Sequence, residues 1–370
     1  MRPAWAEVDL DAIRHNAALL REAASPAALC AVVKADGYGH GAAPVARAAL
    51  EGGATWLAVA LAAEGGELRD VGIDSPILVL AEPSPPEMDA VVRHRLRCAV
   101  YTEAGIDALA EAAVGAEPVH VHLKIDTGMH RVGAPLEDLV PLAERIAGHP
   151  SLVLEGLWTH CAVADEPDNE LNVLQQERFE VAVGALADAG LRPPMLHMAN
   201  SAGAIVHPSM RYDLVRCGIA LYGIAPSSEL AATGVADGLR PAMALKARVS
   251  HVKVVPRGDG VSYGWHRLMT EDTVVATVPL GYADGVRRRL SIAGGQVLIG
   301  GRRRDLAGVV TMDQLSVDCG RDEVAIGEEV VLIGAQGDER ITAEEVAALL
   351  GTIGYEIVCG IGPRVPRAYV

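Results

Sequence analysis

A lone lysine stands at the end of an apolar run near the start of the chain. Lys34 follows residues 29–33 and precedes a glycine-rich turn that also holds Tyr38 and His40. It is one of only four lysines, against 28 arginines, in a chain of 370 residues. A desolvated lysine amine forms Schiff bases, whereas arginine is not deprotonated in proteins. The pattern indicates a reactive amine. The competing interpretation is an ordinary lysine at a strand end, capped by a glycine turn.

Four more polar side chains stand where later apolar runs end. They are Arg131, His160, Ser201 and Arg216. A guanidinium pairs with carboxylates through two hydrogen bonds, and imidazole is the most frequent general acid or base. These four side chains are therefore candidates for an active site. Their spacing depends on the elements that carry them.

Eight short apolar runs alternate with segments of helical pattern over the first 216 residues. The runs lie at about 29–34, 56–60, 77–80, 97–100, 119–125, 153–159, 195–199 and 213–216. The helical segments lie at about 44–50, 61–70, 85–93, 103–114, 136–146, 171–189 and 201–206. This alternation predicts a parallel (β/α)8 barrel of the TIM type. The polar residues above then lie at the carboxyl ends of strands, where such barrels hold their active sites.

The remainder of the chain has a different pattern. Residues 227–237 are predicted to be a linker, which gives domains at 1–235 and 240–370. Valine-rich segments at 243–255, 273–280, 295–299, 306–310, 315–318 and 328–334 predict a mostly antiparallel β domain. A helix is predicted at 342–350. The arginine runs 287–289 and 302–304 are predicted to lie in solvated turns.

Composition excludes several classes of protein. A net charge of −16 argues against nucleic acid or an anionic membrane as a partner. No run reaches the ~18 apolar residues of a membrane span, and the first residues lack the apolar core of a signal peptide. Six cysteines stand far apart without metal-site spacing. They predict reduced thiols in a cytoplasmic protein that has no zinc or other structural metal.

Nine segments together carry a family resemblance. They are Val32-Val-Lys-Ala-Asp-Gly-Tyr-Gly-His-Gly41, Lys124-Ile-Asp-Thr-Gly-Met-His-Arg131, Thr159-His160, Asn200-Ser201, Arg216-Cys-Gly-Ile-Ala-Leu-Tyr-Gly223, Ser262-Tyr-Gly264, Gly281-Tyr-Ala-Asp-Gly285, Met312-Asp-Gln314 and Gly354-Tyr-Glu356. In this order they resemble the alanine racemase family. The resemblance implies a pyridoxal 5′-phosphate enzyme with a barrel followed by a β domain. It also implies interconversion of L-alanine and D-alanine, which supplies D-alanine for the bacterial cell wall.

The resemblance implies two opposed bases. Lys34 matches the lysine that binds the cofactor and acts as one base, and Tyr263 matches the second base. A phenol with a pKa near ~10 is a poor base at neutral pH. In the family a histidine and an arginine favour its ionised form, and these match His160 and Arg216.

Cofactor contacts follow from the same matches. Arg216 corresponds to an arginine that faces the pyridine nitrogen; because arginine stays protonated, it leaves that nitrogen without a proton. The phosphate contacts correspond to Tyr38, Ser201, Gly218, Ile219 and Tyr355.

Substrate contacts and the entrance complete the implied site. Arg131 and the backbone N–H of Met312 match the binders of the substrate carboxylate. Tyr282, Asp313 and Arg288, here called the gate residues, match side chains that narrow the entrance; Tyr355 is implied to stand beside them. Lys124 matches a lysine that can carry a carbamate, with an ion pair to Asp126 or another carboxylate as the alternative.

The chain also departs from the family pattern, at Cys161, His130, Thr311 and Val309. These positions concern the entrance and the response to inhibitors, not the bases. Because Lys34 lies on the barrel and Tyr263 on the β domain, the resemblance predicts a homodimer with shared active sites.

Three alternatives remain at this stage. A broad-specificity or serine racemase of the same fold is one of them. A non-catalytic protein that binds pyridoxal phosphate would lack the β domain, and a decarboxylase of related fold would carry a cysteine motif.

Overall fold

The computed structural model describes residues 3–370, which form two compact units. One unit comprises residues 12–37 and 42–240. The other comprises the described residues up to Asp11 together with Tyr38–Gly41 and Pro241–Val370. In chain order the strands are β1 (Ala4–Val8), β2 (Ala28–Val32), β3 (Trp56–Val59), β4 (Ile77–Val79), β5 (Arg97–Val100), β6 (Val119–Lys124), β7 (Leu152–Trp158), β8 (Met195–His197), β9 (Leu214–Cys217), β10 (Met243–Arg248), β11 (His251–Val255), β12 (Thr273–Val278), β13 (Gln296–Ile299), β14 (Arg302–Asp305), β15 (Leu315–Asp318), β16 (Glu329–Gln336), β17 (Glu339–Ile341) and β18 (Arg367–Tyr369).

Strands β2 to β9 form a parallel eight-stranded sheet in the order β8-β7-β6-β5-β4-β3-β2-β9. Backbone bonds from Asp213 to Leu196 (3.0 Å) and from Arg216 to Ala199 (3.0 Å) link the two end strands. The sheet is therefore a nearly closed barrel, which confirms the predicted fold. Strands β2, β3 and β4 are almost wholly buried, so their sequences are continuous apolar runs, whereas β5, β6 and β7 also carry polar residues.

Seven helices follow barrel strands as the sequence predicts. They are Ala42–Glu51, Ala62–Asp70, Met88–Arg93, Glu103–Ala112, Leu139–Gly148, Leu171–Asp188 and Ser201–Val206. Helix Leu10–Ala24, which precedes the first barrel strand, was not predicted. Helix Glu103–Ala112 shows a side-chain cap, because the Thr102 hydroxyl accepts the N–H of Gly105 at 2.9 Å. Segment 227–237, predicted to be a linker, contains the short helix Ser228–Ala232.

The second unit is mostly antiparallel, again as predicted. Its larger sheet has the order β14-β13-β16-β10-β1-β18, with β17 beside β16, and its smaller sheet is β11-β12-β15. Among the described strands of this unit, only β1 and β18 pair in parallel. Helices Ala343–Leu350 and Gly354–Cys359 complete this unit. Segment 306–310, predicted to be a strand, forms only an isolated bridge from Leu306 to Val317.

The prediction for residues 302–304 is wrong, because they form strand β14 and not a solvated turn. Gly300 and Gly301 have φ of 63° and 70°. Two consecutive residues with positive φ make the tight hairpin turn that pairs β13 with β14. The arginine charges are met by carboxylates on neighbouring segments, including Asp322 for Arg304 at 2.9 Å.

Candidate active site

Lys34 begins a short left-handed turn just after strand β2. Ala35, Asp36 and Gly37 have φ of 53°, 51° and 60°, each with ψ near 50°. A left-handed conformation costs a residue with a Cβ about 1–2 kcal/mol. Strain of this kind persists only where surrounding contacts enforce it, and it concentrates at functional sites.

Glu64 supplies those contacts. Its Oε1 accepts the N–H of Ala35 at 2.7 Å, and its Oε2 accepts those of Ala60 at 2.7 Å and Leu61 at 3.1 Å. One carboxylate therefore ties the turn after Lys34 to the start of the helix that follows β3. The backbone of Lys34 is fixed from outside its own segment.

Arg216 is buried at the end of strand β9, with 3% of its surface exposed. Its Nη1 donates to Nδ1 of His197 at 2.9 Å. Its Nη2 donates to the carbonyls of Thr159 at 2.8 Å and Met198 at 3.0 Å, and it lies 3.3 Å from Nδ1 of His160. All of these acceptors are neutral, and burial lowers the pKa of Arg216 to about 10. Within the described chain this guanidinium has no carboxylate partner.

The Nε–H of Arg216 has no acceptor among residues 3–370. Guanidinium carries five N–H donors, so this side chain can still donate a hydrogen bond from Nε.

Trp158 lies beside two cations. The Nζ of Lys124 and the Cζ of Arg216 are each 4.5 Å from the centre of its ring. The ring also stacks on His197 at 5.5 Å. Burial, together with the charges of Arg216 and Arg131, lowers the pKa of Lys124 to about 8.

His160 follows strand β7 in the same region. Burial first, and then the charges of Arg216 and Arg131, hold the pKa of His160 well below its usual value. The imidazole is therefore neutral at neutral pH. A neutral imidazole beside a fixed guanidinium can accept or donate a hydrogen bond without adding charge.

Arg131 is exposed on the loop after strand β6. Asp126 shapes this loop, because its Oδ1 accepts the N–H groups of Gly128 at 2.9 Å and His130 at 3.1 Å. No described carboxylate lies within ion-pair distance of Arg131 or of Lys124. The alternative of a Lys124–Asp126 ion pair is thus not formed, and Arg131 is available to an external anion.

Ser201 and Gly218 meet after the last two barrel strands. The Ser201 hydroxyl accepts the N–H of Gly218 at 2.9 Å and that of Ala220 at 3.4 Å. It keeps its own proton for donation. A short 3₁₀ turn, Ile219–Tyr222, begins at the same place. Barrels commonly bind phosphate after their last two strands.

Tyr263 lies in the second unit on the 3₁₀ turn Tyr263–Trp265. Ser262 has φ of 63° and donates its hydroxyl to the Val309 carbonyl at 2.7 Å. The Tyr263 side chain is 73% exposed. A strained and anchored backbone thus presents an almost free phenol.

Tyr282 and Met312 belong to two turns that are bonded to each other. The Tyr282 N–H donates to the Thr311 carbonyl at 2.9 Å, and Ala283 donates to that of Met312 at 3.0 Å. A Cβ at Gly281 would lie 2.3 Å from the Met312 carbonyl oxygen, so glycine is needed for this approach.

An arginine joins the same two turns. Arg364 donates to Asp313 at 2.7 Å and lies 3.4 Å from the buried carboxylate of Asp284. The second oxygen of Asp284 accepts the N–H of Gly281 at 2.9 Å. Two of the three gate residues, Tyr282 and Asp313, are therefore held together. Arg288 lies on the 3₁₀ turn Arg288–Ser291, a few residues after Tyr282 in the sequence.

Tyr38 and Tyr355 also lie together in the second unit, with ring centres 6.3 Å apart. Their rings are tilted by 46°. These two phenols were predicted to act on one phosphate group.

Comparison with known proteins gives consistent matches along the whole chain. The family model for the alanine racemase N-terminal domain matches residues 8–226, and that for the C-terminal domain matches residues 242–369. An alanine racemase of Symbiobacterium thermophilum is 49% identical over 100% of this chain and 97% of the relative. The chain belongs to the alanine racemase family.

Solved structures of alanine racemases have the same fold. The enzyme of Streptomyces coelicolor is 44% identical, with a TM-score of 0.95 over 100% of this chain and 98% of that chain. The enzyme of Bacillus anthracis with bound L-Ala-P is 40% identical, also with a TM-score of 0.95, over 100% of this chain and 95% of that chain. Membership of the alanine racemase family makes the chain an amino-acid isomerase, as the sequence predicts.

The residues matched to the alanine racemase family divide between the two units. The barrel unit holds Lys34, Lys124, Arg131, His160, Ser201, Arg216, Gly218 and Ile219. The second unit holds Tyr38, Tyr263, Tyr282, Arg288, Met312, Asp313 and Tyr355. Among the described residues no helix is both long and apolar enough to cross a bilayer.

Sequence reasoning missed several polar residues around Arg216 and the gate. They are His122, Glu155, Trp158, His197 and Arg364. Histidines inside apolar strands β6 and β8 were a usable signal, because a buried polar side chain needs a partner. Arg364 gave no signal of this kind.

Proposed function

We propose that the chain interconverts L-alanine and D-alanine, with pyridoxal 5′-phosphate as its cofactor. The observation that carries the proposal is the buried guanidinium of Arg216, which has neutral partners and an unused Nε–H. A neutral ring nitrogen accepts such a donor, whereas a cationic one would be repelled. The residue set therefore fits a pyridine ring that stays unprotonated.

Other residues fit the rest of the cofactor. Lys34 would hold its aldehyde carbon, and Ser201 with the N–H groups of Gly218 and Ile219 would hold the phosphate. The Gly218 N–H, which donates to the Ser201 hydroxyl, would then be shared between that oxygen and the phosphate. The hydroxyls of Tyr38 and Tyr355 would donate to the same phosphate. When bound, pyridoxal phosphate supplies an electron sink that makes the α-proton of the amino acid removable.

Racemisation requires a proton to leave one face of the α-carbon and another to arrive on the opposite face. We assign these transfers to the Lys34 amine and the Tyr263 hydroxyl. The neutral His160 and the cationic Arg216 would favour the ionised phenol, because hydrogen bonds and nearby positive charge stabilise it. Both act from the barrel unit.

The substrate carboxylate would bind Arg131 through two hydrogen bonds, with the Met312 N–H as a second donor. The exposed guanidinium on an ordered loop supports this role. A carbamate on Lys124 would place a negative charge near Arg131 and orient it. The low pKa of Lys124, about 8, supports that modification because only the neutral amine reacts with carbon dioxide.

We further propose a homodimer in which the β domain of one subunit closes the barrel of the other. In a single chain, Tyr263 is 73% exposed, Met312 is 52% exposed and Tyr282 is 43% exposed. A catalytic base and the gate residues beside it are expected to be buried in the active enzyme, because the electrostatic interactions that favour an ionised phenol weaken in water. The partner subunit's Tyr263 would then complete each site. The proposed domains are 1–235 for cofactor binding and 240–370 for this closure.

The gate sets the proposed specificity. Tyr282 and Asp313, with Arg288 further along the entrance, would leave room for a methyl group and restrict larger side chains. The Bacillus anthracis relative was solved with L-Ala-P, which supports an alanine-sized ligand here. We propose that the product D-alanine serves cell-wall synthesis. The six cysteines form no disulfide among the described residues, which suits the cytoplasm as a reducing compartment.

The test uses the purified protein, loaded with pyridoxal phosphate, in deuterium oxide with L-alanine or L-serine. We expect loss of optical rotation and deuterium uptake at the α-carbon, much faster with alanine than with serine. Comparable rates would favour the broad-specificity racemase. Cofactor binding without exchange at the α-carbon would reject catalysis.

A further inference from the structure

A chain of hydrogen bonds leads from Arg216 through the barrel core to a carboxylate. Nη1 of Arg216 lies 2.9 Å from Nδ1 of His197, and Nε2 of His197 lies 2.8 Å from Nδ1 of His122. Nε2 of His122 then lies 3.1 Å from Oε2 of Glu155. Both imidazoles are fully buried. Strands β6, β7, β8 and β9 each supply one of the four side chains.

The two ends of this series of hydrogen bonds, Arg216 and Glu155, determine which nitrogen of each imidazole carries the proton. Guanidinium can only donate, so Nδ1 of His197 must carry a lone pair and its Nε2 must carry the proton. Nδ1 of His122 then accepts, and its Nε2–H donates to Glu155. An ionised carboxylate can only accept, so the other end requires the same order. If either imidazole gained a second proton, two N–H donors would face each other with no acceptor between them.

Burial and nearby charges keep both imidazoles neutral and the Glu155 carboxylate ionised. Burial lowers the pKa of His122, and the pKa of His197 lies well below its usual value for the same reason. Burial raises the pKa of Glu155, but the bond from His122 and the charge of Arg97 outweigh it, so the net pKa is lowered. Arg97 lies 2.9 Å and His120 lies 3.2 Å from the two carboxylate oxygens.

The backbone also makes room for the pair of histidines. A Cβ added at Gly156 would lie 2.3 Å from Nδ1 of His122, the atom that accepts from His197. The register between β6 and β7 shifts at Val121 and His122. Close approach of the backbone is a frequent reason for glycine inside a strand.

We propose that Glu155, His122 and His197 are positioning residues for Arg216. They hold both imidazoles as neutral Nε2–H tautomers, so that a lone pair always faces the guanidinium and fixes its plane. Glu155 is the only carboxylate joined to Arg216 by hydrogen bonds within residues 3–370, and it acts through two imidazoles. Polarisation along such a series of hydrogen bonds strengthens each bond by about 10–30%.

The consequence for catalysis rests on the proposed function, because there Arg216 faces the cofactor ring. A guanidinium that tilts or rotates would present its Nε–H poorly to that ring. The substrate carboxylate is assigned to Arg131, which lies outside the chain of bonds. Disrupting this series of hydrogen bonds should therefore lower kcat, while KM for alanine should change little.

The first measurement is the tautomeric state of the two histidines. Long-range ¹H–¹⁵N spectra of the full-length protein, with and without pyridoxal phosphate, distinguish the two tautomers and the imidazolium. The His122→Gln and His197→Asn variants assign the signals. We expect Nε2–H for both residues in both forms. An Nδ1–H tautomer or an imidazolium at His197 would overturn the proposal, whatever the racemase activity.

The second measurement compares substitutions at Glu155. Glu155→Leu removes the acceptor, and we expect a mixed tautomer population and a kcat lower by about 10-fold or more, the loss typical when the hydrogen-bond partner of a metal-binding histidine is removed. Glu155→Gln keeps an acceptor and should restore the Nε2–H tautomers and most of kcat. Gly156→Ala should disturb the same ¹⁵N signals.

Glu7→Leu is the matched control. It removes another strand carboxylate, the partner of Lys246 at 2.9 Å.

A Glu155→Leu protein with wild-type ¹⁵N signals and kcat would reject the positioning role. If that variant does not fold, the wild-type tautomers and the Glu155→Gln protein still decide the matter. A racemase that proves inactive from the start would count against the proposed function alone, because the tautomers are measured without turnover.

Discussion

The Nζ of Lys124 lies 4.5 Å from the centre of the Trp158 ring, and the side chain is 4% exposed. Its pKa of about 8 leaves roughly a tenth of the amine neutral at pH 7, whereas an ordinary lysine with a pKa of ~10.4 is almost entirely protonated there. Carbon dioxide adds to the neutral amine, and a proton leaves as the carbamate anion forms. We expect ¹³C-bicarbonate to give a carbamate signal that strengthens from pH 7 to 8.5 and is absent in Lys124→Met. No signal in either protein would reject the modification.

The same pKa predicts how stability depends on pH. An unfolded lysine has a pKa of ~10.4, above the value of about 8 in the folded chain. Between these two values the unfolded state binds more protons, so the free energy of unfolding rises with pH. We expect Lys124 to contribute a rise of about 1–3 kcal/mol from pH 7.5 to 10 in urea unfolding without bicarbonate. Lys124→Met should lack that contribution, and equal curves for the two proteins would contradict the low pKa.

Tyr263 and Lys34 allow the proposed assembly to be tested by complementation. Lys34→Ala and Tyr263→Phe homodimers should each lose activity by at least ~10²-fold, within the usual contribution of a general acid or base. In a mixed heterodimer one of the two sites is intact if Tyr263 acts on the partner's barrel. Mixing should therefore restore up to about a quarter of wild-type activity, since half of the dimers are mixed and each has one good site.

The control for this experiment is Tyr212→Phe, which removes a surface hydrogen bond to Glu180 in the barrel unit. It should remain active alone. Subunit exchange is followed by native mass spectrometry. Proven exchange without recovered activity would show that Tyr263 does not act on the partner's barrel.

Whether a structural feature can be predicted from the sequence depends on how far apart along the chain its contacting residues lie. Strand β2 and helix Ser201–Val206 were predicted because local apolar patterns and loop residues specify them. Strand β1 was not, because its partners β10 and β18 lie at the far end of the chain. Strand β14 has three arginines, and only the Gly300-Gly301 turn and distant carboxylates make it a strand.

Some parts of the candidate site could likewise be predicted from local sequence, and others could not. Lys34, Arg131 and Arg216 stand in recognisable segments at strand ends, so their positions followed from the barrel. The bond between His122 and His197 joins residues 75 positions apart. No local pattern specifies that pair, nor the link from Arg364 to Asp313. Such polar contacts depend on which strands become neighbours and on their register.

Arg131 provides a test of substrate binding. Arg131→Lys keeps the charge but loses the planar fork that pairs with both carboxylate oxygens. We expect KM for alanine to rise about 10-fold, while Arg131→Gln raises it further. Steady-state kinetics in both directions provide the measurement. Arg178→Lys, at a neighbouring arginine that donates to the Thr127 carbonyl at 3.0 Å, is the control and should leave KM unchanged. An unchanged KM in Arg131→Lys would remove Arg131 from the carboxylate site.

Arg364 tests the role of the gate in specificity. It donates to Asp313 at 2.7 Å and lies beside the buried Asp284, so it fixes the turn that carries Asp313. Arg364→Gln should free that turn and widen the entrance. A hydrophobic pocket distinguishes one extra group by only ~1–3 kcal/mol. We therefore expect kcat/KM for serine to rise relative to alanine, by up to about 10-fold. Arg321→Gln breaks the exposed pair with Glu271 in the same unit and should leave the ratio unchanged. A constant ratio in Arg364→Gln would mean that Asp313 does not control entry, and specificity would then depend on Tyr282 and Arg288.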